Sequence, residues 1–167
     1  MAEPPPDAAP ERTLLQARSD YLHGFGRLLG LVRRELRIFD PDLSELGINS
    51  AERVEMLARF LRSGPNRRMF VALHSVDYVS KRCPRFVDLL GIHASSIFIY
   101  QTTGDAARVQ DCFVLADGEH LVRRPVTSQP RGVLVIGDPK ECQPMRERFD
   151  EIWESSIPSV SANTTGL

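Results

Sequence analysis

The sequence predicts an α/β domain with a mixed parallel and antiparallel sheet and helices on both faces. Asp117-Gly118 separates two apolar runs, and such a pair is a strong signal for a tight β-hairpin because both residues tolerate positive φ. Upstream of it, strand and helix patterns alternate, which is typical of crossovers between parallel strands. The chain of 167 residues is 42% hydrophobic and 26% charged, so it can bury the core of one domain without disulfides or metals.

The predicted hairpin is the centre of this fold. Residues 112–116 are all apolar, so we expect this strand to be buried on both faces. Cys112 is therefore interpreted as a small buried hydrophobic residue and not as a reactive thiol. Charged residues collect at both ends of the hairpin, and a functional site is expected along it.

The first part of the chain is predicted to contain a tail, a helix and a strand. Residues 1–12 are polar and Pro-rich, which predicts a disordered tail before a single domain at 13–157. A short strand at 36–39 is ended by Asp40-Pro41. The helix before it has one apolar stripe, formed by Tyr21, Leu22, Phe25, Leu28, Leu29, Val32 and Leu36.

Two more strand and helix pairs follow. Ser50 is the predicted N-cap of the second helix. Residues 69–73 and 96–100 are predicted strands, and the helix between them, at 77–90, has Pro84 in the first turn of its second half.

The chain continues past the hairpin with one strand and one helix. The strand is predicted at 133–136, and the helix at 139–155 has Trp153 on its core face as a packing residue. The polar residues 158–167 predict a second disordered tail.

Composition argues against several classes of function. The net charge of −1 gives no bulk attraction to nucleic acid or anionic membranes, and the basic group at 67–85 lacks interleaved aromatic residues, so nucleic-acid binding is not expected. The three cysteines are widely spaced with no C-x-x-C pair, which indicates neither a disulfide framework nor a zinc site, and nothing indicates a cofactor. No apolar run approaches the ~18 residues of a transmembrane helix, and the N-terminus lacks a signal-peptide pattern, so we expect a cytoplasmic protein.

Arginines at the hairpin form the candidate anion site. Arg124 and His120 fall on one face of their strand, with Val122 between them as an apolar wall, whereas Arg123 points to the other face. Arg108 and Arg131 could converge on the same region, and guanidinium groups bind phosphate and carboxylate in a bidentate way. The alternative is that nearby carboxylates pair with these arginines as a solvated charged face.

The order of elements resembles one half of the phospholipase D-like superfamily. GRLLGLVRRELRIFDPDL is similar to the family's opening helix and first strand, FVLADG to its central hairpin, and RFDEIW to its closing helix. More closely, the chain resembles a group of small bacterial domains of this type, some of them fused to acetyltransferases. The resemblance covers nearly all of the folded part.

The resemblance implies a catalytic pattern that this chain keeps only in part. Family members that catalyse carry His-x-Lys-x(4)-Asp on the central hairpin, where His attacks phosphorus and Lys holds phosphate oxygens. In this chain Asp117 and its following Gly match, but Gln110 stands in the place of the His and Cys112 in the place of the Lys.

Two hypotheses of different classes follow. The first is a non-catalytic phospholipase D-like interaction or regulatory module with a possible acetyltransferase or other protein partner and a phosphate-containing ligand. The second is a phosphodiesterase or other hydrolase with a rebuilt active site in which His74 or His120 acts as nucleophile or base.

Overall fold

The computed structural model describes residues 9–160 of the chain. Its strands are, in chain order, β1 (Glu11–Leu15), β2 (Glu35–Asp40), β3 (Arg68–Leu73), β4 (Ile97–Thr102), β5 (Cys112–Ala116), β6 (His120–Arg124), β7 (Gly132–Ile136) and β8 (Ser156–Val160). Its helices are α1 (Arg18–Leu31), α2 (Ala51–Arg62), α3 (Asp77–Arg82), α4 (Pro84–Ile92) and α5 (Pro139–Glu154), and a 3-10 turn covers Gly104–Arg108. From α1 to α5 the elements follow the predicted order, with one predicted helix divided into α3 and α4.

All of these strands belong to one sheet with the order β1-β7-β6-β5-β2-β3-β4-β8. Strands β2, β3 and β4 are parallel to one another, and β5, β6 and β7 continue the sheet in antiparallel pairs. The prediction of a mixed sheet is therefore confirmed. Strand β5 lies in the middle of the order and all five of its residues are buried, as the continuous apolar run requires.

The sheet has a hydrophobic core on each face. Buried side chains of α1 to α4 pack with one set of strand residues, including Ile38, Val71 and Val114. Buried side chains of α5 pack with the alternate set, including Phe39 and Phe113. Helices on both faces were predicted, and the alternation of strand side chains explains why one strand serves both cores.

The hairpin turn adopts the backbone that its sequence predicts. Asp117 and Gly118 have φ values of +57° and +67°. The register pairs Ala116 with His120, so Glu119 is a third residue in the loop. Asp117 also binds β2, because its carboxylate accepts hydrogen bonds from three successive backbone N–H groups of residues 33–35, at 2.8–3.0 Å.

The predicted helix limits need one correction. Helix α1 ends at Leu31, where the sequence pattern continued to Leu36, and Val32 already has an extended backbone. The Asp117 carboxylate captures the N–H groups that a longer helix would have used. Gly24 has a structural role in α1, because a Cβ there would lie 2.8 Å from Val122 Cγ2 on β6.

Two edge strands extend the predicted domain of 13–157. Glu11 and Arg12, expected in a disordered tail, pair with β7 as part of β1, and residues 158–160 pair with β4 as part of β8. Ala9 and Pro10 have no regular secondary structure, and residues 1–8 and 161–167 of the predicted tails lie outside the described residues. Edge strands are exposed, and Pro158 lies where the register of β8 is irregular, so neither strand shows the apolar alternation that predicts an inner strand.

Two signals for helix starts are confirmed, and one predicted helix is divided. Ser50 Oγ accepts a hydrogen bond from Arg53 N at 3.1 Å, as an N-cap should. The predicted helix at 77–90 is divided at Cys83, and Pro84 is the first residue of α4. Trp153 packs on α5 against Tyr100, with 3.9 Å between ring centroids.

Candidate functional site

A buried polar cluster lies at the end of the hairpin away from its turn. Arg124, the last residue of β6, is 1% exposed, and its Nη2 donates a hydrogen bond to Glu45 Oε2 at 2.6 Å. The guanidinium carbon lies 4.9 Å from the centroid of the Tyr21 ring, within cation–π range. Glu45 is half exposed and also accepts a hydrogen bond from Arg18 Nη1 at 2.7 Å. Its carboxylate therefore closes the cluster from the solvent side.

The loop after β2 holds Glu45 in position. Asp40, the last residue of β2, accepts hydrogen bonds from two backbone N–H groups of this loop, the shorter one from Leu43 at 2.7 Å. Leu43, Leu46 and Ile48 are each at most 1% exposed. Because buried side chains anchor the loop on both sides of Glu45, its carboxylate is directed towards Arg124.

Burial controls the protonation of the cluster. Loss of hydration raises the pKa of Asp40 to about 6, although backbone N–H groups oppose the change. Burial also raises the pKa of the Tyr21 phenol and of the Cys112 thiol. The Tyr21 hydroxyl and Arg124 Nε have no hydrogen-bond partner among the described residues, and both side chains lie near the Cys112 thiol, which is only a weak hydrogen-bonding group. The cluster therefore offers a neutral, shielded thiol and not an exposed nucleophile.

The structure brings together only part of the predicted anion site. Cys112 pairs with Arg124 in the hairpin register, so Arg108, before β5, and Arg131, before β7, lie towards the same end as Arg124. Both are exposed. His120 lies at the opposite end of β6, four residues or roughly 13 Å away, and Val122 between them is part of the core. His120 and Arg124 therefore share a strand face, as predicted, but not a pocket.

His120 has a structural hydrogen bond. Its Nδ1 accepts the backbone N–H of Gly137 at 2.9 Å, and its side chain is 4% exposed. Burial lowers the pKa of the imidazole, which favours the neutral ring that this bond requires. This hydrogen bond joins the start of β6 to the turn after β7.

His74 is also held by both of its ring nitrogens. Nε2 lies 2.7 Å from the carbonyl oxygen of Val109, and Nδ1 lies 2.7 Å from Thr102 Oγ1. Since a carbonyl only accepts, Nε2 carries the proton and Nδ1 accepts from the hydroxyl. The ring joins the chain after β3 to β4 and to the loop before β5.

Arg123 belongs to a second charged group, on the α5 face of the sheet. Asp111 is 3% exposed and accepts hydrogen bonds from Arg123 and, at 2.7 and 3.1 Å, from Arg148 on α5. The prediction that Arg123 and Arg124 point to opposite faces is confirmed. Arg148 was missed in the sequence because no local spacing relates it to Asp111.

Tyr21, Asp40 and Glu45 were not predicted as site residues either. The sequence indicates Tyr21 only as one position of an apolar helix stripe and Asp40 only as the end of a strand. Their meeting with Arg124 depends on how α1 and the loop after β2 pack over the sheet.

The sequence from residue 18 to 163 matches the model of a protein family described as a domain of unknown function, DUF7931. That match covers most of the chain. The chain belongs to the DUF7931 family. No curated protein matches it in sequence.

The DUF7931 domain has the fold of the phospholipase D family. It is similar to Nuc from Salmonella typhimurium, a phospholipase D family member, with a TM-score of 0.59, 12% identity and 92% of this chain covering 100% of that one. NucT from Helicobacter pylori gives a TM-score of 0.57 at 8% identity, with 90% of this chain and 100% of that chain covered.

A DNA-binding protein shares the same fold. TrmBL2, an archaeal chromatin protein whose structure shows a novel mode of DNA binding, gives a TM-score of 0.65 at 11% identity. The alignment covers 89% of the DUF7931 chain but 55% of TrmBL2, so this chain spans about half of that protein. Identities at this level show the common fold alone.

The resemblance to the phospholipase D-like superfamily places Gln110, Cys112 and Asp117 at the family's catalytic positions. Gln110 is exposed two residues before β5, and its backbone carbonyl accepts the N–H of Thr127 at 2.8 Å. Cys112 is fully buried in the polar cluster, where it pairs with Arg124 in the hairpin register. The Asp117 carboxylate accepts hydrogen bonds from backbone N–H groups at the start of β2, so Asp117 has a structural role in this fold.

Two further properties concern the part of the chain that the structure describes. No group of three or more His, Cys, Asp or Glu side chains within residues 9–160 is arranged to hold a metal ion. No helix in that range is both long enough and apolar enough to cross a membrane.

Proposed function

We propose that this DUF7931 domain is a non-catalytic phospholipase D-like interaction or regulatory module. The arrangement of side chains at the end of the hairpin away from its turn supports this proposal most directly. There, the residue in the place of the family's Lys is the fully buried Cys112, and the adjacent guanidinium of Arg124 is already bound by Glu45 of the same chain. A phosphodiester centre needs a nucleophile and a cation that face the substrate, and the described cluster offers neither.

The partner and the anion site are part of the same proposal. An acetyltransferase, or another protein, is the proposed partner, because of the resemblance to domains fused to such enzymes. Arg108 and Arg131 are the exposed cations at the hairpin end, whereas an anion would reach Arg124 only by displacing Glu45. The proposed site for a phosphate-containing ligand at this end is accordingly reduced to these two residues, without His120.

The test is a hydrolysis assay with bis(p-nitrophenyl) phosphate, DNA and phosphatidylcholine vesicles as substrates. We expect no turnover above the buffer rate with any of them. His74→Ala, His120→Ala and, as a matched control, His23→Ala are assayed in parallel, since His23 is exposed on α1. Hydrolysis that is abolished by either of the first two substitutions and retained in the control would contradict the proposal.

One contact favours the hydrolase alternative. The Thr102 hydroxyl and His74 Nδ1 are 2.7 Å apart, and the bond from Nε2 to Val109 orients the ring, which is how a hydroxyl nucleophile and its general base are arranged. Thr102 is 6% exposed, so a substrate would reach it only after the surrounding loops open. Loss of turnover in both His74→Ala and Thr102→Val would support this second function.

A further inference from the structure

An arginine-lined cleft lies at the opposite end of the sheet from the cluster described above. It has a volume of about 380 Å³, at the lower end of the range that is usual for small-ligand pockets. Its lining comes from the starts of β2 and β3, the end of β5, the hairpin turn and the middle of α5. These residues are Arg34, Glu35, Arg37, Asn66, Arg68, Leu115, Asp117, Gly118 and Arg146.

Four guanidinium groups face two carboxylates in this cleft, and both carboxylates are already bound. Asp117 accepts the three backbone N–H groups at the start of β2. Glu35 accepts a hydrogen bond from Arg37 Nε at 2.5 Å, and Arg37 also lies 3.6 Å from Asp150. Arg37 is therefore neutralised by the domain itself.

The other three guanidinium groups are poorly neutralised. Within residues 9–160, neither Arg68 nor Arg146 makes an ion pair with a carboxylate, and Arg34 has only a 3.9 Å contact with Glu119. Arg68 donates one hydrogen bond to the backbone carbonyl of Arg67 at 3.0 Å. Grouping uncompensated cations in a concave site costs electrostatic free energy, which a bound anion would recover.

The fold limits the freedom of these side chains. Arg68 and Arg146 are half buried. Arg146 lies across the hairpin turn, so closely that a Cβ on Gly118 would be 2.9 Å from Arg146 Cδ. A guanidinium group that is already positioned loses less conformational entropy when it binds an anion. The absence of a side chain at Gly118 thus admits Arg146 to the cleft.

We propose that this cleft binds a small phosphorylated ligand, with a diphosphate as the group that is recognised. Three guanidinium groups on separate elements suit the several oxygens and charges of a diphosphate, whereas a single carboxylate is satisfied by one guanidinium fork. Leu115 supplies an apolar wall beside the charged groups. The site is distinct from the hairpin end, where Arg108 and Arg131 lie, and it does not depend on whether the domain catalyses.

The test is isothermal titration calorimetry of the full chain with inorganic pyrophosphate, with ADP and malonate titrated at matched ionic strength. We expect pyrophosphate and ADP, which both present a diphosphate group, to bind, and malonate to bind at least tenfold more weakly. Arg68→Gln and Arg146→Gln should each weaken pyrophosphate binding ~10-fold or more, because each removes a charge-assisted hydrogen bond. Arg146→Lys should fall between Arg146→Gln and the unchanged chain, since it keeps the charge but loses the fork.

Arg82→Gln and Arg59→Gln are the matched controls. Arg82 is exposed on α3 and Arg59 is exposed on α2, and neither residue lines the cleft, so neither substitution should change the affinity. Circular dichroism and urea unfolding establish that each variant is folded before titration. The proposal is overturned by equal affinity for malonate and pyrophosphate, by absence of pyrophosphate binding, or by a loss in Arg82→Gln as large as in the cleft variants. A DNA duplex is titrated in the same way, and tighter binding than pyrophosphate with equal loss in all four glutamine variants would overturn the proposal in favour of a diffuse nucleic-acid surface.

Discussion

Replacing Asp40 by Asn should stabilise the domain at neutral and alkaline pH. The Asp40 carboxyl is 3% exposed, and burial raises its pKa from 3.8 to about 6. Because the folded state holds this proton more tightly than the unfolded chain does, the contribution of Asp40 to stability is fully present below pH 3.8 and is lost as pH rises through 6. Asn keeps an oxygen that can accept the N–H groups of Leu43 and Asp42 but carries no charge.

The size of the effect follows from the change in pKa. The difference between about 6 and 3.8 is 2.2 units, which at 1.36 kcal/mol per unit corresponds to about 3 kcal/mol above pH 7. Most of it should develop between pH 4 and pH 8. In a domain of this size about 3 kcal/mol corresponds to roughly 6–12 °C in Tm.

Urea unfolding at pH 4, 6 and 8 measures the difference between the Asp40→Asn variant and the unchanged chain. The difference should be smallest at pH 4 and should grow towards pH 8 in favour of the variant. Ser50→Ala is the control, because it removes a helix cap that does not titrate and its effect should not vary with pH. A difference that stays constant with pH, or an Asp40→Asn variant that is less stable at pH 8, would refute the reasoning.

Two other substitutions test contacts away from this carboxyl. Asp111→Asn should lower the free energy of unfolding by about 3 kcal/mol, since it leaves the guanidinium groups of Arg123 and Arg148 beside an uncharged amide, and urea unfolding with an unchanged m-value would measure the loss. Ser50→Ala should cost about 1 kcal/mol by removing the N-cap of α2, and a loss below ~0.3 kcal/mol would mean that the cap bond to Arg53 does not form in solution.

Much of the sheet could be predicted because its signals are local. The run at 112–116 is apolar at every position, and this pattern corresponds to the fully buried β5. Asp117-Gly118 prescribes positive φ at the turn, and Ser50 and Pro84 mark helix starts by the hydrogen bonds that they can or cannot make. Each of these signals depends on neighbours a few residues away, so the sequence alone contains them.

The candidate sites could not be predicted in the same way. The sequence grouped His120 with Arg124 because even spacing gives a common strand face, and that much is correct. The length of the strand, however, separates them, and each finds a different partner, Gly137 and Glu45, that is distant in sequence. Spacing along one strand specifies direction but not which loops close over each end.

What the sequence determined by itself was the order of the inner strands and of the helices between them, the buried central hairpin and the divergence of Arg123 from Arg124. The tertiary structure alone decided that Glu45 neutralises Arg124, that burial holds the Asp40 carboxyl near a pKa of 6, and that Arg68 and Arg146 meet in a cleft by the turn. The physical reason is the range of the interactions. Backbone preference and side-chain alternation act between near neighbours, whereas desolvation and ion pairing depend on which distant segments pack together.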